Sequence, residues 1–199
     1  MRFGFALEIL LSSEAQAAGL HLGIPTSGVP GLSDVQFQTP EIGWTARVPG
    51  GQARVYVGPT EADAEAWYTR ALEGLTIPVA STAGGAGSAP IGDVSTGDGA
   101  GLLLFRDGNV AVMVRTDAQA RSVAATLHAA IVDGPAPWPA APSPALDAAG
   151  RWTVTVAADA SVRVVGGRPV PFQPGVYQEL PDQIVVWDAW GRPAVWRHD

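Results

Sequence analysis

Three sets of residues in this 199-residue chain have types and spacing that invite chemistry. The first is a glycine-rich stretch, "GDVSTGDGAG", which places Asp93, Ser95 and Asp98 close together. Oxygen ligands at such short spacing suit calcium. The spacing is not that of an EF-hand, no Glu closes the site, and no Lys follows the glycines as a phosphate loop requires. The stretch reads as a turn, with a weak cation site as the alternative. The second set is the histidines, His21, His128 and His198. None falls in an HxxH, HxH or HExxH pattern, so zinc has no support. His128 lies beside the apolar stripe of a predicted helix and reads as partly buried and structural. His198 is next to last in the sequence, where chains fray. No G-x-S-x-G elbow nominates a serine nucleophile. Glu61, Asp63 and Glu65 read as a solvated helix start matched to the helix dipole, not as an acid–base pair. No catalytic, cofactor-binding or metal-binding residue is nominated, and no cofactor is implied.

The third set is aromatic. Trp152, Trp187, Trp190 and Trp196, four of the seven tryptophans, fall in the last 49 residues with Phe172 and Tyr177. Tryptophan is enriched at interfaces because a large apolar area is combined with a polar handle. A small β-rich tail also needs large side chains simply to hold together. These six residues are the candidate interface, with packing inside the chain and a sugar-binding platform as the other readings.

Part of that tail, "VVWDAWGRPAVW" (185–196), carries the order aromatic-Asp-x-x-Gly-Arg in Trp187-Asp188-Ala189-Trp190-Gly191-Arg192. This resembles a single unit of the tyrosine–aspartate repeat family, with Trp where Tyr is usual. The arrays of that family form β-shells from many tandem copies. One copy over a dozen residues implies a hairpin in which Asp orders the turn, Gly supplies a positive φ and Arg reaches across. It implies no activity.

Composition narrows the class of partner. Hydrophobic residues make up 47% and charged residues 16%, which is globular and not disordered. The formal charge is −7, and all twelve basic residues are arginine, consistent with a GC-rich coding genome. Residues 1–100 hold ten Asp and Glu against four Arg. Such a balance repels phosphate backbones and anionic lipid, so nucleic acid is not an expected partner. The absence of cysteine excludes disulfides and thiolate sites together. The opening "MRFGFALEILLSSEAQAAG" holds a short apolar run interrupted by Glu8, too short to span a bilayer. Ala15-Gln16-Ala17 fits a small-x-small cleavage pattern. We read residues 1–18 as a segment packed on the body, and the cytoplasm as favoured over export.

The elements that must position these residues follow from periodicity. "DVQFQT", "GWTARV" and "QARVYVG" alternate as strands, with Val55 and Val57 on one face. Residues 60–75 predict a helix capped by Thr60, with Ala64, Trp67, Tyr68, Ala71, Leu72 and Leu75 as its apolar stripe. Residues 80–101 are a small-residue loop. "GLLLFRDGNVAVMVR" (101–115) predicts a hairpin turning at Asp107-Gly108, which pairs Phe105 with Val110 and Leu103 with Val112. Both of its faces are apolar, so it belongs centrally in a sheet covered on both sides. A second helix fits 117–132, capped by Asp117, with Ala120, Val123, Ala124, Leu127 and Ile131 inward.

The expected fold is α+β: an antiparallel sheet with a central hairpin, two packed helices and a small β-rich C-terminal module. Residues 1–133 form the main domain. Residues 134–150, with five prolines and six alanines, read as a linker with little helix or sheet of its own. Residues 151–199 form a Trp-rich β module that is marginal for an independent core. The expected function is a non-catalytic binding or assembly module, such as an accessory subunit of a larger bacterial complex, with a protein partner or self-association. The alternatives are a small-molecule or lipid carrier with the glycine loop as a lid, and an unrecognised hydrolase. Replacing Gly108 by Val is expected to lower the thermal midpoint, because the hairpin turn needs positive φ there; an unchanged melt would refute that placement of the turn.

Overall fold

The computed structural model describes residues 22–38, 43–75, 90–98, 101–134, 138–150, 152–155, 162–165, 168–170, 176–177 and 183–197. The N-terminal segment 1–18, His21, most of the glycine loop, Phe172 and His198 lie outside the described residues. In chain order the strands are β1 (Leu22–Gly23), β2 (Ser33–Gln38), β3 (Gly43–Val48), β4 (Gly51–Val57), β5 (Val94–Gly97), β6 (Leu102–Asp107), β7 (Val110–Thr116) and β8 (Val132–Asp133). Then follow β9 (Ser143–Leu146), β10 (Trp152–Thr155), β11 (Val162–Val165), β12 (Arg168–Val170), β13 (Val176–Tyr177), β14 (Gln183–Trp187) and β15 (Pro193–Arg197). The helices are α1 (Glu61–Glu73), between β4 and β5, and α2 (Ala120–Ala129), after β7. No helix among the described residues is long and apolar enough to cross a membrane.

The fold is α+β. Its centre is a six-stranded antiparallel sheet in the order β2-β3-β4-β7-β6-β5. Period-two alternation sends each strand's residues to opposite faces. On one face Ala53, Val55 and Val57 of β4 join Leu103, Phe105, Val110, Val112 and Val114 of the β6–β7 hairpin in one buried cluster. Helix α2 closes this face through Ala120, Val123, Ala124 and Leu127. On the other face Leu102, Leu104 and Ala111 meet Ala64, Trp67 and Tyr68 of α1. The hairpin is therefore covered on both sides, as its apolar sequence requires.

The turn falls one residue later than expected. Phe105 pairs with Val112, Leu103 with Val114 and Asp107 with Val110, so the two-residue loop is Gly108–Asn109. Positive φ is confined to Gly108 (+51°), the pattern of a type II′ turn, whereas an Asp-Gly type I′ turn needs it at both positions. Periodicity could not separate the two registers, because moving each partner by two residues leaves every side chain on the same face. Asn109 decides the matter. Its side chain is buried and bridges chain segments: Oδ1 accepts the Leu22 N–H at 3.1 Å, and Nδ2 donates to the carbonyls of Leu22 (3.0 Å) and Gly58 (2.9 Å).

The helix starts separate the two caps. Thr60 caps α1 as expected, accepting the Asp63 N–H at 3.2 Å. Asp117 does not cap α2. Strand β7 runs on to Thr116, opposite Gly51, and the Asp117 N–H is held by the Gly50 carbonyl at 3.1 Å. The helix begins only at Ala120, and Gln119 stands at its N-cap without a side-chain bond.

The C-terminal part forms small sheets, β13-β10-β9 and β12-β11-β14-β15, while β1 pairs with β8. The proline-rich stretch expected to hold little sheet supplies β9, paired with β10. Prolines are tolerated there because β9 is an edge strand. Val185 and Trp187 of the β14–β15 hairpin belong to the same buried cluster as Ile24 and Trp44, so this hairpin is built into the core of the first 133 residues. Its five-residue loop has the chemistry that the repeat resemblance implies. Asp188 Oδ1 accepts the N–H groups of Trp190 (2.9 Å) and Arg192 (3.0 Å), and Oδ2 accepts Arg192 Nε (2.7 Å) and Nη2 (2.6 Å). Gly191 has φ +69°, and a Cβ there would overlap the indole nitrogen of Trp44. Trp138, from the proline-rich stretch, lies over the Arg192 guanidinium and donates its indole N–H to the Pro193 carbonyl at 2.9 Å.

Because the buried Asn109 side chain satisfies three backbone groups of Leu22 and Gly58, Asn109→Ala is expected to cost about 2–4 kcal/mol by denaturant unfolding. A loss below about 0.5 kcal/mol would show that the clamp is not used.

Candidate functional site

The residues singled out by chemistry take mostly structural positions. Asp93 Oδ2 accepts the Gly108 N–H at 2.9 Å, Ser95 Oγ accepts the Ile91 N–H at 3.3 Å, and Asp98 Oδ1 accepts the N–H groups of Gly101 and Leu102, each at 2.9 Å. Among the described residues no group of three His, Asp or Glu side chains is placed to hold a metal ion. His128 Nε2 lies 2.9 Å from Asp107 Oδ2, and its ring meets Phe105 edge-on, so it braces the hairpin end from α2. Glu61 pairs with Arg106 at 2.7 Å, and Asp63 Oδ2 accepts the Thr60 hydroxyl at 2.6 Å. Of the candidate interface, Trp187 is fully buried against Phe37, with ring centres 5.0 Å apart. Trp152, Trp190 and Trp196 are half-buried. Tyr177 pairs with Trp152 across β13 and β10.

A different constellation emerges where α1 stops covering the sheet. Across the strands, register aligns Gln36, Thr45, Arg54, Met113, Leu104 and Thr96 in one row, and Arg47, Gln52, Arg115 and Leu102 in the next. Leu104 and Leu102 of β6 lie buried under α1 with Met113 of β7 partly buried beside them, and Tyr68 of α1 reaches Thr96 of β5 with a 2.8 Å hydrogen bond. The β2–β3–β4 ends of these rows are polar, with Gln36, Arg47 and Gln52 exposed, Arg54 half-buried and Thr45 buried. The boundary between them is a groove with two compartments. One is a polar shelf of about 340 Å³ lined by Gln38, Thr45, Gln52, Arg54, Met113 and Arg115. The other is a notch of about 190 Å³ against α1, where Arg54, Met113 and Arg115 recur beside Trp67, Arg70 and Leu75.

Aromatic stacking builds the floor. The Tyr56 ring lies parallel to Trp67 with centres 5.9 Å apart, and the Arg54 guanidinium sits 5.7 Å from the Trp67 ring centre. Such cation–π contacts help hold a guanidinium in place. Burial, and then the neighbouring Arg115 charge, push the Arg54 guanidinium below its ordinary pKa. Burial, and then the Asp63 charge, raise the Tyr56 phenol to about 12, against a smaller opposing effect of Arg70. Burial likewise raises Tyr68, opposed by its bond to Thr96 and by Arg106.

This groove escaped the sequence reading, which rightly placed Trp67 in a core stripe but gave the arginines no site. A signal existed: with Val55 and Val57 inward, Arg54 and Tyr56 must face the other way. A second, more open groove of about 690 Å³ runs along α2, lined mostly by small apolar residues including Pro25, Val29, Ala125, Ala129 and Val132. No protein-family model, curated protein or solved structure matches the chain.

The raised Tyr56 pKa has a thermodynamic sign. The folded phenol holds its proton up to about pH 12, whereas the unfolded one releases it near 10, so stability is intact below pH 10 and falls between about 10 and 12. A phenolate absorbance titration should show a group near 12 that disappears in Tyr56→Phe; a Tyr56 ionising near 10 would contradict the packing.

Proposed function

We propose that this chain is a non-catalytic binding module, an accessory part of a larger assembly, and that it engages its partner through the groove beside α1. The observation that carries this reading is the composition of the groove. Arg54, Arg70 and Arg115 gather over an apolar floor of Trp67, Met113 and Leu75 on a protein whose net charge is −7. Guanidinium groups are donors only and recognise partner oxygens, often two at once. The notch beside the half-buried Leu75 and Met113 supplies the kind of pocket into which an interface anchor packs. Both compartments are open to solvent, which favours a protein surface over a small molecule carried inside.

Mapping neutral and charged aromatic fragments by amide and indole chemical shifts tests this directly. Perturbations should gather on β4, β7 and α1 around Arg54, Trp67 and Met113. Perturbations that gather along α2 and residues 25–30, or none anywhere, would overturn the assignment of the groove.

A further inference from the structure

Resting on that binding role, we infer that the partner presents an acidic polypeptide segment. Its carboxylates are held by Arg54, Arg70 and Arg115, and an apolar side chain beside them enters the notch over Trp67 and Met113.

Three features of the groove converge on this chemistry. The first is spacing. Arg115 pairs with Gln52, and Arg54 pairs with Met113, so the two arginines are diagonal neighbours on adjacent strands. Such diagonal neighbours lie about 7–8 Å apart, their Cβ atoms somewhat closer, near enough for both long side chains to converge on one carboxylate or on two adjacent ones. Arg70 reaches the same notch from α1. The second is charge. Arg54 and Arg115 repel each other across this boundary, and an anion between them relieves that repulsion. Arg47, Arg106 and Arg192 lie in ion pairs with Asp34, Glu61 and Asp188, whereas Arg70 and Arg115 form none among the described residues. The third is the mixture of surfaces. A free phosphate would satisfy the guanidinium groups but leave the half-buried Leu75 and Met113 uncovered. A nucleic acid carries charge at every step of its backbone and would run from the groove onto the acidic remainder of the surface. A short segment with Asp or Glu beside an apolar residue meets donors and floor together. Its interaction is set by the local arginines, because charges beyond about 8 Å are largely screened at physiological salt.

The test is fluorescence anisotropy on the full chain with a short labelled peptide rich in Glu and Leu. Two control peptides replace Glu by Gln or Leu by Ser. The Glu/Leu peptide should bind, more weakly as salt rises, and each control should bind at least about tenfold more weakly. Arg115→Glu and Arg70→Glu should each loosen binding about tenfold while leaving the thermal midpoint unchanged, since both side chains are exposed. Equal binding of the Gln/Leu peptide, or equal competition by inorganic phosphate or a short single-stranded DNA, would overturn the inference. Should fragments map to the groove while no acidic peptide binds, the inference fails and the binding role stands. Should neither occur, both fail.

Discussion

The β6–β7 hairpin is apolar on both faces, and the fold is arranged to cover it twice. Leu103, Phe105, Val110, Val112 and Val114 point one way, and Leu102, Leu104 and Ala111 the other, all buried. Each fully buried Leu, Val or Phe contributes about 1.5–3 kcal/mol relative to leaving it in water. Among the described residues no other stretch of this length offers as much, so the hairpin dictates where the helices go. Helix α1 takes one face and α2 the other. Asn109 fixes the end of the hairpin to Leu22 and Gly58, which ties the turn to β1 and to the approach of α1.

The two covers are unequal in size, and the groove results. On the α2 side, residues 22–32 and the C-terminal hairpin extend the cover across to β2 and β3, burying Phe37, Trp44, Ala46 and Val48. On the α1 side a thirteen-residue helix lies over β5, β6 and β7 and stops at β4. Beyond that line the strands carry residues that remain wholly or partly in water, Gln36, Gln52, Arg54 and Arg115. The binding groove is thus a border between covered and uncovered sheet. Its mixture of Trp67 and Met113 with arginine reflects both sides of that border.

The second cover depends on residues far away in sequence. The β14–β15 hairpin reaches Ile24, Phe37 and Trp44 across more than half the chain. It keeps its shape through a nearly buried ion pair. Removing Asp188 and Arg192 from water costs several kcal/mol per ion unless every hydrogen-bonding position is met. Asp188 meets two backbone N–H groups and two guanidinium nitrogens, and Trp138 covers the guanidinium plane. The arrangement gives the loop one conformation, with Gly191 pressed against Trp44. The tryptophans of the tail therefore divide: Trp187 completes the core, while Trp152, Trp190 and Trp196 keep part of their surface outside it.

The sequence by itself determined the elements whose signal is local. Both helices, the Thr60 cap, the stripes of Ala64, Trp67 and Tyr68 and of Ala120, Val123, Ala124 and Leu127, and the two-sided hairpin all follow from periodicity and capping. The Asp-x-x-Gly-Arg loop was legible for the same reason, since its bonds lie within five residues. Tertiary structure alone decided the rest. The hairpin register was settled by an Asn side chain bonding to partners 51 and 87 residues away, which no periodicity encodes. The start of α2 was set by how far β7 pairs with β4, and β9 formed because β10 offered it an edge. The candidate site was the least legible feature. Arg54, Arg70 and Arg115 are scattered along the sequence, and only strand register and the limited reach of α1 place them in one groove.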